Sequence, residues 1–351
     1  MAVILQHFST TAQTYSTGWI PSVVPHGYMA VDLFFVLSGF IMAYTYQGAF
    51  EADGLRAYIP FLQKRIARIA PLGLFMTVVF VTLGAVAPAV GRGDLFSNEY
   101  LMQQGSWTMI SINVLHLQGF FPYHNINAPS WSVSLEIIAY VLFPLFLRLM
   151  NRVPWLVLGV GVAVLAGFAA QEPHLGLASR SVTLDLTRCL TEFTFGMGVF
   201  RLFLIRARHP WIGSDVGTWA ITAGAAGLML LRIDLLMALS FPFLILAWAS
   251  NTGGAGRVMG SRIPYALGTI SFSLYLVHHV FRGVDLALLQ AFYPTPVSPL
   301  AALAFVVVAS LAVIPVAALV YRVIERPGRV AFNAAFAWSN RTALPGLPTG
   351  A

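Results

Sequence analysis

The chain has 351 residues, 58% of them hydrophobic and 9% charged, with a mean hydropathy of +0.77. A soluble domain carries roughly 25% charged residues, so this composition excludes a fully water-exposed surface and reads as an integral membrane protein. The net charge of +7 is spread over short loops rather than gathered in one stripe, which argues against nucleic acid, and the single cysteine, Cys189, excludes an internal disulfide and reads as a buried filler.

In chain order, residues 2–8 read as the last two turns of a helix too short to cross a bilayer alone, with His7 at its end. Apolar runs of spanning length follow near 29–47, 70–90, 130–147, 154–170, 183–205, 216–232, 234–250, 265–288 and 299–321. They predict an all-α polytopic membrane protein with about nine full transmembrane helices plus a truncated first helix. The opening "MAVILQHF" has no basic n-region and no small-residue cleavage site, so no cleavable signal is expected. Residues 1–332 form one membrane domain, and 333–351 are expected to be a disordered cytoplasmic tail. No internal repeat is visible.

The stretch "SWTMISINVLHLQGF" (106–120) is amphipathic, polar and short, and the distribution of basic residues decides how to read it. With the loop 51–68 in the cytoplasm and 106–120 re-entrant or interfacial, Arg148, Arg152, "RARH" (206–209), Arg257, Arg262, Arg322, Arg326 and Arg329 all fall inside. The facing loops then keep chiefly Arg92, Arg180 and Arg232.

An ionisable residue within a span costs about 2.5–3.5 kcal/mol, so each one calls for a reason. Asp32 opens the 29–47 run, Glu136 lies a third of the way along its own, and Arg188 and Glu192 are four apart on one helical face. His278, His279 and Arg282 share another run. In the topology above, all of these fall in the outer halves of their helices, so they are expected to line one polar cavity open to the periplasmic side. At the opposite face "KRIAR" (64–68) packs Lys64, Arg65 and Arg68 into one stripe, geometry that suits phosphate.

Plainer readings stand beside these. Asp32 can be a residue favoured by the helix dipole, Arg188 with Glu192 a structural ion pair, and "KRIAR" a positive-inside anchor. His278 and His279 face different ways, so at most one enters the cavity. His116, His124 and His174 lie in loops or at segment edges and read as bystanders. Glu136, flanked by Ser132 and Ser134, has no basic neighbour in its own segment. Histidine suits proton abstraction from a sugar hydroxyl near neutral pH, and Asp32 or Glu136 could hold the tautomer of His7. A lone histidine beside an apolar helix also serves as a structural residue.

Four motifs in this order resemble the membrane acyltransferase-3 family, whose members O-acylate bacterial surface polysaccharides and related glycans. They are His7 with "AVDLFFVLSGF" (30–40), "KRIARIAP" (64–71), "WSVSLEIIAY" (131–140) and "ISFSLYLVHH" (270–279), followed by "ERP" (325–327). The resemblance covers nearly the whole chain and is nearest to the branch that acetylates or succinylates exopolysaccharides. It implies an acyl-CoA co-substrate, in the first instance acetyl-CoA, bound from the cytoplasm near Lys64, Arg65 and Arg68. His7 would act as catalytic base, with Asp32 and Glu136 supporting it or the acceptor. Ser38, Trp131, Ser132, Ser134, Arg188, Glu192 and His278 would line the cavity. The glycan acceptor, the bacterial cytoplasmic (inner) membrane and the absence of a metal complete the expectation.

Some positions depart from the family pattern. The family carries an arginine about ten residues before its first-helix histidine, whereas this chain begins six residues before His7; either the start lies upstream of Met1, the favoured expectation, or the chain is truncated and inactive. Lys64 stands where arginine is common, Ala139 replaces an aromatic, and Ala30 replaces a glycine. His26 has no counterpart in this reading. An acyl-enzyme route has no clear nucleophile, Ser38, Ser132 and Ser134 being candidates without a signature. Two other functions fit the same residues: a glycan exporter or flippase, and a non-catalytic subunit of a polysaccharide synthesis complex. The missing repeat symmetry argues against the exporter.

Overall fold

The computed structural model describes residues 1–13, 16–18, 26–90, 106–121, 125–171, 181–206, 210–292 and 296–342. Expectations placed on Arg92, His124, His174, Arg180, His209 and the tail beyond Thr342 fall outside these residues, as does the side chain of Arg282. The described residues are nearly all helical and contain no strand. One isolated parallel bridge, Ser16 with Val297, ties the exit of the first helix to a distant loop.

The helices are α1 Ala2–Gln13, α2 Ala30–Asp53, α3 Tyr58–Val86, α4 Ser106–Val114, α5 Trp131–Arg152, α6 Pro154–Gln171 and α7 Val182–Leu204. They continue with α8 Asp215–Leu231, α9 Asp234–Ser250, α10 Gly254–Met259, α11 Arg262–Thr269, α12 Ser271–Phe292, α13 Pro299–Val320 and α14 Arg326–Thr342. Several starts are written in the sequence. The side chains of Ser181, Ser214 and Ser298 accept the amides of Leu184, Gly217 and Ala301, the preferred N-cap chemistry. Pro299 adds a pre-set first turn to α13.

Against an expected nine or so spans, four helical stretches among the described residues are long and apolar enough to cross a membrane. The first, 27–86, holds both α2 and α3; the others are 128–152, 154–171 and 299–337. The apolar helices α8 and α9 are shorter, at 17 residues each. Three boundaries move from those read in the sequence. The first helix runs to Gln13, which puts His7 in its middle. The expected run 265–288 is broken at Ile270 between α11 and α12. Residues 333–342, expected to be disordered, continue α14. At nine residues α4 is too short to span a bilayer, and the chain turns after it at His116, whose φ is +56°.

The helices α2 and α7 pack backbone against backbone. A methyl on Gly39 would overlap the carbonyl oxygen of Phe193, and one on Gly196 would overlap that of Val36. Small residues at a crossing let two backbones touch where lipid supplies no hydrophobic drive between helices. Next to the crossing, Phe61 stacks on Phe143 at 5.1 Å, and Phe50 and Phe193 meet Phe143 edge-on at 5.5 and 6.2 Å. These rings bind α2, α3, α5 and α7 into one core. On the other side α1 lies against α12 and α13, and α14 lies along α3.

Candidate active site

The titratable residues foreseen around one cavity separate into three groups. In the first, α1 and α12 bring together two histidines 271 positions apart: His7 Nδ1 lies 2.9 Å from His278 Nε2, with the rings stacked at 5.1 Å. The other nitrogen of His278, Nδ1, donates to the carbonyl of Tyr275 at 2.7 Å. A carbonyl can only accept, so neutral His278 presents a lone pair at Nε2, and His7 donates to it through Nδ1–H. The basic nitrogen of neutral His7 is then Nε2. The tautomer of His7, expected to be held by Asp32 or Glu136, is set at Nδ1 by His278.

The second group sits at the α2–α7 crossing. Arg188 grips Asp32 Oδ1 through Nη2 at 2.5 Å and Nε at 3.1 Å, and reaches Asp185 at 3.4 Å. Asp32 makes no side-chain cap for α2, and Glu192 is fully buried against it. The arginine is 3% exposed. This is a closed ion cluster clamping two helices, in which the described ion pairs of Arg188 are with Asp32 and Asp185 and not with Glu192, the partner read from the sequence. A related group lies nearby: His26, in the left-handed region at φ +53°, and Tyr28 both bind the carboxylate of Asp234 at the start of α9. Asp234 is a charge opening an apolar run, the same signal that flagged Asp32, and it accounts for His26.

The third group lines a cavity of about 850 Å³. At one end stand Lys64, Arg65 and Arg68 from α3, joined by Arg329 and Asn333 from α14. Its walls are largely apolar, with Phe34, Leu37 and Ile41 from α2, and it leads to Ser38, Ser132, Glu136, Tyr140 and Tyr275. Glu136 Oε1 accepts from Ser38 at 2.5 Å and from Tyr140 at 2.6 Å. Ser132 Oγ is 2.8 Å from the hydroxyl of Tyr275, which donates to the carbonyl of Pro129. Arg65 donates to Tyr46 at 2.7 Å.

Of the residues foreseen as lining, Ser38 and Ser132 do so, while Trp131, Ser134, Arg188, Glu192 and His278 are not among those that line this cavity. Trp131 packs edge-on against Phe35, and Ser134 is buried. Tyr275 connects the groups: its ring is in the cavity wall, and its carbonyl holds His278 behind that wall. His116, foreseen as a loop bystander, is buried on Gly73, and burial moves its imidazole below the usual range. Among the described residues no group of three or more His, Cys, Asp or Glu is placed to hold a metal ion.

Comparison with known proteins adds a second line. The family model described as "Acyltransferase domain" matches residues 1–322. The chain is 26% identical to acyltransferase MdmB of Streptomyces mycarofaciens, over 86% of this chain and 80% of that one. It is 28% identical to the exopolysaccharide production protein ExoZ of Rhizobium meliloti, over 72% of this chain and 75% of that one. A 128-residue stretch is 31% identical to YrhL of Bacillus subtilis, named as a candidate peptidoglycan O-acetyltransferase; it covers 34% of this chain and 19% of that one. No solved structure matches the chain.

Proposed function

The chain belongs to the acyltransferase-3 family, and on that premise we propose that it carries an acyl group, acetyl in the first instance, from acyl-CoA to a hydroxyl of a surface glycan or exopolysaccharide. It is an acyltransferase, with apolar helices fit to lie in a membrane. In this proposal the membrane is the bacterial cytoplasmic one, crossed about nine times, with the Lys64–Arg68 end in the cytoplasm. The names of two relatives, one tied to exopolysaccharide and one to peptidoglycan, support a glycan acceptor.

One observation carries the reading. A single cavity joins four basic side chains, suited to a phosphorylated donor, to the half-buried carboxylate of Glu136, and its far wall at Tyr275 backs onto the His7–His278 pair. The donor's phosphates sit at Lys64, Arg65, Arg68 and Arg329, and its acyl arm lies along the apolar wall. His7 Nε2 takes the proton of the attacking hydroxyl. The new O–C bond forms as the C–S bond breaks, and the departing thiolate takes the proton back from His7. His278 is a positioning residue that keeps the proton of neutral His7 on Nδ1, away from the attacking side. Glu136, already accepting two hydroxyl hydrogen bonds, orders the acceptor end of the cavity.

Glycan O-acyl content in a deletion host tests this. His7→Ala is expected to lower base-labile ester by about 10²–10⁴-fold at equal expression; full restoration by that variant sinks the assignment. His278→Gln, which retains an acceptor for the Nδ1–H of His7, is expected to keep more activity than His278→Ala. Equal loss in both would make His278 a packing residue.

A further inference from the structure

A second cavity, of about 350 Å³, opens beside the basic end and is lined by Arg68, Tyr265, Gly268, Thr269, Tyr321 and Arg329. Arg68 and Arg329 belong to both cavities. Arg68 stands with its guanidinium 6.0 Å from the ring of Phe272, itself in the wall of the larger cavity, and so occupies the partition between them. One carboxylate, Glu325, acts on both arginines, and it also accepts the Ser273 hydroxyl at 2.6 Å. A single carboxylate between two guanidiniums leaves positive charge over. Gly268 presents open space where a side chain would stand, and Thr269 spends its hydroxyl proton on the carbonyl of Tyr265 at 2.9 Å.

The two cavities differ in chemistry as the two ends of a CoA thioester differ. One end of that donor is a slender, uncharged arm carrying the acyl group; the other is an aromatic base on a phosphorylated ribose, with a diphosphate between. The larger cavity offers a long apolar wall. The smaller one offers two tyrosine rings, which hold a base through its π-face, and two arginines, which bind phosphate in a bidentate fashion.

We propose that the 350 Å³ cavity is the nucleoside subsite of the donor, with the base on Tyr265 and Tyr321 and the phosphates bridging Arg68 and Arg329. The inference rests on the acyl-CoA reading above and deepens it. Selection of CoA over shorter thioesters then resides in α11 and the turn before α14, on elements that hold neither histidine of the pair.

The test is equilibrium binding of CoA and of 4′-phosphopantetheine, which keeps the arm and one phosphate but lacks the nucleoside, to the full chain in lipid nanodiscs. Wild type is expected to bind CoA about tenfold more tightly than 4′-phosphopantetheine. Tyr265, 72% exposed, is replaceable without threatening the fold. In Tyr265→Ala and in Tyr321→Ala the preference should fall below about twofold, through weaker CoA binding. If the wild-type preference survives in both variants, Tyr265 is an interfacial anchor in the lipid headgroups; the nucleoside inference then fails and the acyl-CoA reading stands. If wild type binds neither compound, the donor reading itself falls and takes this inference with it.

Discussion

Two regions of this protein place arginines among apolar helices, and they do opposite things with them. At the α2–α7 crossing, Arg188 is sealed between Asp32 and Asp185, with Glu192 packed against the same group. At the α3–α14 end, Lys64, Arg65, Arg68 and Arg329 stand in cavity walls with far less acid among them. A charge neutralised where it sits holds helices together. A charge left in surplus at a cavity favours an anion brought from outside, which is the basis of the donor proposal.

The comparison can be broken first at the sealed end. Arg188→Met strips the buried carboxyls of their counter-charge and should cost about 3–5 kcal/mol, read as loss of monodisperse protein in detergent. Arg188→Met with Asp32→Leu removes both partners and should recover part of that loss. A single variant as stable as wild type would make the cluster dispensable. Next in size, Gly196→Ala forces a methyl against the backbone of Val36 and should cost about 1–3 kcal/mol, seen as a lower Tm. The open counterpart, Gly268→Ala, should leave Tm in place. The smallest effect belongs to the basic end: Arg65→Gln should raise KM for acyl-CoA about tenfold, about 1.4 kcal/mol, with kcat and Tm little changed. A stability loss there as large as at Arg188 would erase the distinction.

How much of this was legible in the sequence depends on the kind of signal. Asp32, Glu136 and Arg188 announce themselves because a charge in an apolar run is costly wherever it lies. Their partners do not, since pairing depends on which helices cross: Asp32 meets Arg188 across 156 positions and His7 meets His278 across 271. Equal heights along separate helices do not by themselves bring side chains together, and among the described residues these charges fall into separate groups. The end of the chain failed for another reason. Residues 333–342 are polar on one face and so resemble a tail, yet Asn333, Phe336 and Ala337 line the larger cavity. Gly328 permits this, since a methyl there would come within 2.5 Å of Pro71 on α3. Asp234 was in plain view as a charge opening a span, and only its pairing with His26 and Tyr28 reveals its use.

The wide turn at Tyr321–Glu325, where the amide of Arg326 reaches back to the carbonyl of Tyr321, works as a phase shifter between two helices. Pro327 cannot donate a backbone hydrogen bond, which disfavours regular winding just before it. The extra residue in that turn sets the angular position of everything beyond, and one residue corresponds to about 100° of rotation. Wound as plain α-helix, the same residues would turn Arg329 and Asn333 by about 100° away from the cavity they line, and the wide turn prevents this by taking up one residue. The length of one turn, more than the identity of its residues, decides whether the last helix faces the site or the lipid.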